Sequence, residues 1–218
     1  MSTRSLIAAS IAVTATLAGV ATLAQARLPA HTRLPMHWGV SGVADRFADA
    51  PVALFLPVAL CAGVSMLMAV LPHIEPLQHK LDRSAALFET AWAGVLAMFA
   101  VVEAQVAAPA FGVTLPATLP LVAMGILLIV IGNALPKSRP GYFVGIRTPW
   151  TLSDPDNWIA THRLGARTMM AGGAVIVAAA LLPVPAVVRA ACVIGALLLA
   201  VVPPVVYSFV HWRRGRIV

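Results

Sequence analysis

Residues 168–210 read TMMAGGAVIVAAALLPVPAVVRAACVIGALLLAVVPPVVYSFV, two apolar runs parted by Pro183-Val184-Pro185. Crossing a hydrocarbon core about 30 Å thick takes roughly 20 helical residues. Lipid offers the backbone no hydrogen-bond partners, so a run of this kind must satisfy its own N–H and C=O groups as a helix. With so short a connector, the two runs predict a tight antiparallel pair.

Working outward, four more runs of spanning length precede this pair. The six lie at 6–26, 51–71, 85–108, 115–135, 168–183 and 186–210, and the short fifth extends back toward Ala166. Composition agrees: 60% of the 218 residues are hydrophobic and 11% charged, whereas globular domains carry about 25% charged residues. The expected fold is all-α, a polytopic membrane bundle of six transmembrane helices. The longest polar stretches, 27–50 and 136–167, leave no room for a soluble domain.

The formal charge is +7, but the basic residues sit singly or in small groups between apolar runs. That placement fits anionic lipid headgroups rather than nucleic acid. With the N-terminus inside, Arg4, Lys80, Arg83, Lys137, Arg139, Arg147, Arg163, Arg167, Arg213, Arg214 and Arg216 fall on the cytoplasmic side. Only Arg27, Arg33, Arg46 and Arg189 fall outside. This asymmetry predicts cytoplasmic termini in a bacterial inner membrane. Arg4, the first run and Ala24-Gln25-Ala26 also fit a secretory signal peptide; the run exceeds the usual core of about 7–15 residues, so a retained helix is expected. Cys61 and Cys192 lie inside apolar runs with no metal spacing.

The outer polar stretch contains Leu34-Pro35-Met36-His37-Trp38-Gly39, then Gly42, Asp45 and Arg46. Pro35 favours extended backbone before it, and the glycines permit a compact loop. Two readings stay open. His37 and Asp45 form a polar ligand site, with His31 or Asp49 as further candidates for a metal, or Trp38 anchors the loop while His37 and Asp45 bond its backbone. No recognised metal-ligand spacing is present.

The inner stretch runs from Gly141 to Gly165. Pro149 holds Thr148 extended, which predicts irregular or strand-like backbone from Gly145 to Thr151, with Arg147 and Trp150 on it. A helix then starts, with Asp154 as N-cap, Pro155 at its first position and Asp156 near the positive dipole end. Trp158, Thr161, His162 and Gly165 share one face of it, and Ile159, Arg163 and Arg167 another. Arg147, His162 and Arg163 are candidates for binding a phosphate, a carboxylate or an acidic segment. Closing the loop against the bundle is their structural alternative.

Within the third run Glu89 and Glu103 fall within about 40° of one face, roughly 21 Å apart along the axis. Each either serves a function at membrane depth or reaches water and pairs with a base, Arg83 for Glu89 and Arg189 for Glu103. Pro116 and Pro120 are expected to kink the fourth span, Pro203 and Pro204 the sixth. No nucleophile–base pair, phosphate loop or His-Glu-x-x-His motif appears, so no enzyme, cofactor or resident metal is expected.

The stretch Gly145-Ile146-Arg147-Thr148-Pro149-Trp150-Thr151-Leu152, with Trp158 and Thr161-His162-Arg163, resembles the bacterial SdpI immunity-protein family. The earlier Leu34–Gly39 motif with Gly42 and Asp45 resembles a small membrane domain that commonly precedes the SdpI segment. The chain departs from the family pattern at Gly141, where an Asn is usual, and at Asp49, where a Lys is frequent. The resemblance implies an N-terminal two-helix domain, residues 1–84, and an SdpI-like four-helix domain, residues 85–218. It further implies protection against a secreted peptide toxin, with signalling inward through a small repressor held at the membrane. A small transporter or proton-coupled carrier using Glu89 and Glu103 is the competing reading; the two halves show no internal repeat.

Overall fold

The computed structural model describes residues 3–74, 84–141 and 143–215. Among these residues, six helices are long and apolar enough to cross a membrane. They are α1 (Thr3–Arg27), α2 (Ala50–Ile74), α3 (Ala85–Ala107), α4 (Leu119–Ala134), α6 (Pro155–Leu181) and α7 (Ala186–Arg214); α5 is a short helix, Pro149–Ser153. Their outward faces carry bare apolar side chains, with Ile11, Met66, Leu181 and Val187 between 66% and 75% exposed. Such a surface is stable in lipid and not in water. The expected polytopic helical bundle is what the chain forms.

Two local expectations need correction. The fourth helix starts at Leu119, not Leu115. Pro116 therefore lies before it, and Pro120 occupies its first turn, where no N–H is needed. Neither proline interrupts the helix. Helix α6 runs unbroken from Pro155 through the fifth span. Finally, the stretch expected to be irregular contains α5. Thr148 is extended, as Pro149 requires, and its side chain accepts from Thr151 N while Thr151 Oγ1 accepts from Thr148 N, a capping box. That reciprocal pair satisfies two donors at a helix start and makes even one turn stable. Pro203 and Pro204 lie inside α7, as expected.

The loop between α1 and α2 is a β-hairpin, β1 (Arg33–Trp38) paired antiparallel with β2 (Ala44–Asp49). Its register slips between Pro35 and His37 and again before Trp38. Bulges of this kind twist a two-stranded edge and re-aim side chains.

Helices α1, α2 and α3 pack together around Leu6, Leu17, Cys61, Phe88, Trp92 and Leu96. Trp92 Nε1 donates to Ser10 Oγ at 2.9 Å within that core. In the other half α6 is central. A Cβ at Gly173 would stand 2.4 Å from Gly125 O on α4, and one at Gly172 would stand 2.6 Å from Ala196 O on α7. Apolar lipid gives helices no hydrophobic reason to associate, so close backbone approach through small residues supplies the van der Waals contact instead. Helix α3 also touches α4, where Gly94 admits Leu127.

Alternating spans place the two polar segments at opposite ends of the bundle. The hairpin turn touches Thr118 and Leu121 at the start of α4 and Arg189 near the start of α7. At the other end Ser84, just before α3, bonds both the N–H and the C=O of Arg139.

Candidate functional site

At the hairpin end, the strand pairing brings His37 and Asp45 together across the sheet, with His37 Nδ1 2.5 Å from Asp45 Oδ1. Both side chains are half exposed. The hydrogen bond from His37 lowers the Asp45 pKa below its ordinary value, helped by the charge of Arg46 and opposed by partial desolvation. Trp38 does not stand free at the surface: it packs against the apolar cluster of Leu34, Ala50, Leu54 and Ala107. Gly42 adopts φ +77°, and a Cβ there would meet Thr118 Cγ2 at 2.9 Å. Only glycine turns the hairpin tightly enough to seat it on the bundle. A recess of about 170 Å³ nearby includes Gln25, His31 and Asp49. Among the described residues no group of three or more His, Cys, Asp or Glu is placed to hold a metal ion.

At the opposite end the motif residues form a packed, hydrogen-bonded plug. Gly145 has φ +111° and lies so close to α6 that a Cβ would sit 2.5 Å from His162 Nε2 and 2.8 Å from Trp158 Cζ2. Free of that Cβ, the chain lets Ile146 N donate to His162 Nε2 at 2.9 Å, while His162 Nδ1 pairs with Trp158 O at 2.7 Å. Accepting at one nitrogen assigns the proton to the other, so the ring is the neutral Nδ1–H tautomer. The imidazole stacks on the Trp158 indole, ring centroids 4.0 Å apart.

A second network joins this plug to α7. Thr148 Oγ1 pairs with Ser208 Oγ at 3.1 Å. Asn157 Nδ2 donates to Ser208 O, and Thr161 Oγ1 donates to Asn157 Oδ1. Thr151 Oγ1 donates to Ile146 O at 2.8 Å. Trp158, Thr151, Asn157 and Thr161 have no exposed surface. The Asp154 cap bonds Asp156 N and Asn157 N, as expected. Trp150 sits outside the plug, in an aromatic group with Phe209 and Trp212.

Of the two readings left open for Arg147, His162 and Arg163, closure of the loop against the bundle is what His162 does. His162 is buried, 1% exposed, while Arg147 and Arg163 are exposed. The helical faces explain it: Arg163 follows His162 by one residue and therefore points about 100° away. Beside the plug is an apolar cavity of about 370 Å³, lined by Phe88, Leu135, Gly145, Ile146 and Met169 among others.

For Glu103, pairing with a base is not the reading that the fold forms. It is 1% exposed, and neither carboxyl oxygen has a hydrogen-bond partner among the described residues. Arg189, its expected partner, donates instead to three backbone carbonyls. Glu89 is half-buried; its expected partner Arg83 lies outside the described residues, as do Lys80 and Arg216. Sequence reading missed the role of Arg189, although a lone cation one turn after Pro183-Val184-Pro185 was a visible signal. It also missed Ser84, Ser138, Asn157 and Ser208, short polar residues whose partners are set only by the fold.

The family match takes in the plug and most of the two helices that follow it. Residues 137–208 match the SdpI/YfhL protein family. The chain is 34% identical over 53 residues to Immunity protein SdpI of Bacillus subtilis (strain 168). That alignment takes in 24% of this chain and 26% of the relative, so the chain spans about a quarter of the curated relative it matches. No solved structure matches the chain.

Proposed function

We propose, from the premise that the chain is SdpI-like over residues 137–208, that it is an integral membrane immunity protein. It gives its host resistance to a secreted peptide toxin. It sits in the bacterial cytoplasmic membrane with both termini inside, the His37 hairpin outside, and the Gly145–His162 plug at the inner face. The toxin contacts the hairpin around His37, Gly42 and Asp45. Inside, the exposed face beside the plug that carries Arg163 is where an acidic surface such as that of a small repressor binds. The role is binding rather than catalysis, and it asks for no cofactor. The single observation that carries this reading is the similarity of a 53-residue stretch of the chain to an immunity protein.

A ligand shifts a bundle only if it binds one arrangement better than another. The hairpin suits that requirement because it touches both halves of the molecule. Expression in a toxin-sensitive host tests the reading. Survival in the presence of the peptide supports it; no protection by correctly inserted protein refutes it.

A second reading is a small transporter or proton-coupled carrier. Glu103 favours it, being a buried carboxyl without a hydrogen-bond partner among the described residues, and such groups inside spans mark ion and proton paths. It predicts that Glu103→Gln abolishes transport while leaving toxin resistance intact.

A further inference from the structure

Arg189 lies one turn into α7 and is half-buried. Its guanidinium donates three hydrogen bonds, each to a different part of the fold. Nε reaches Ala179 O in the last turn of α6 at 3.0 Å, Nη2 reaches Val184 O in the connector at 3.1 Å, and Nη1 reaches Ser41 O in the hairpin turn at 3.0 Å.

The joint between α6 and α7 needs this help. Carbonyls in the last turn of a helix lack intrahelical partners, and a cation suits the negative end of the dipole. Two of the four connector residues, Pro183 and Pro185, have no N–H to donate. Arg189 fills part of that shortage.

The hairpin reaches the same group from the other side. A Cβ at Gly42 would lie 3.6 Å from Arg189 Cδ and closer still to Thr118 and Leu121, so the turn rests directly on the arginine stem. Because the guanidinium is a rigid plane with its donors in a fixed fork, it cannot follow a displaced Ser41 O without disturbing the aim of the other two bonds.

We infer that Arg189 couples the outer hairpin to the α6–α7 joint, so that displacing the hairpin loosens the SdpI-like segment at its outer end. The coupling is mechanical and does not depend on what the hairpin binds. Arg189 is a positioning residue, acting through the carbonyls it holds.

Hydrogen exchange on the full-length protein in lipid nanodiscs tests it, read in peptides spanning residues 178–190. Gly42→Ala unseats the turn. In an otherwise wild-type chain it should speed exchange in these peptides about tenfold, the equivalent of one charged hydrogen bond. Arg189→Gln should do the same by itself, Arg189→Lys should not rescue it, and adding Gly42→Ala to either should change nothing more. If Gly42→Ala does not accumulate, Asp45→Ala serves as the milder hairpin lesion. Faster exchange confined to the hairpin in the Gly42 or Asp45 variant overturns the inference. So does a hairpin effect on residues 178–190 that persists undiminished without the arginine, or full rescue by lysine.

Discussion

Replacing Gly145 by alanine tests the reading of the Gly145–His162 plug most sharply. Two independent costs arise. The backbone at φ +111° is in a region that an L side chain enters at about 1–2 kcal/mol. The new Cβ also lies 2.5 Å from His162 Nε2 and 2.8 Å from the Trp158 ring. Both contacts are inside normal separation, and both partners are rigid rings stacked on one another. Relief requires the 145–146 segment to back away, which breaks the Ile146–His162 hydrogen bond. Overpacking costs about 1–3 kcal/mol, and a buried bond left unmade about 1–3 kcal/mol. These contributions overlap, so about 3 kcal/mol is the expected net loss. Thermal unfolding in detergent, followed by the fraction of protein remaining monodisperse, should show a midpoint lower by about 6 °C or more. Gly19→Ala is the control: a Cβ there meets nothing within 4 Å, so it should be neutral or slightly stabilising. A Gly145→Ala protein within about 1 °C of wild type by the same assay would refute the packed-plug account.

Other outcomes follow from the same geometry. Gly173→Leu must push α6 off α4, because even a Cβ would lie 2.4 Å from Gly125 O; it should lower the folded yield in membranes severalfold, as measured by size-exclusion chromatography. Glu103→Leu removes two buried oxygens without hydrogen-bond partners among the described residues and should raise stability by about 1–3 kcal/mol, read as a higher unfolding midpoint; a lower midpoint would point to a partner for the carboxylate. Asp45 has a depressed folded pKa through its bond from His37, so its contribution is present above the usual carboxylate range and lost as pH falls through the lowered value. Protection factors of the hairpin amides, taken relative to the intrinsic exchange rate at each pH, should therefore fall in acid, and Asp45→Asn should remove that pH dependence.

How much was legible in the chain depended on the range of the physics involved. The spans were readable because lipid imposes a length and composition on each helix separately. So was the Asp154–Pro155 helix start, a contact between neighbours in sequence. The start of α4 was misjudged because apolar character continues through Leu115, while Pro116 and Pro120 decide where hydrogen bonding begins. The α5 turn was missed because Thr148 and Thr151 form a reciprocal cap that hydropathy does not report. Arg189 is a candidate partner for Glu103 on charge alone, yet backbone carbonyls at a proline-containing joint short of N–H donors hold it instead. The His162 face was correctly placed with Trp158 and Thr161, but its burial against Gly145 is a long-range contact that no local pattern announces.

The account rests on the two polar segments belonging to different sides of the membrane. In a background without Cys61 and Cys192, single cysteines at Val43 in the hairpin and Ser153 at the end of α5 report this directly through a membrane-impermeant maleimide on intact cells. The account predicts labelling at position 43 from outside and at position 153 only after the membrane is opened. Labelling of both from the same side would contradict it.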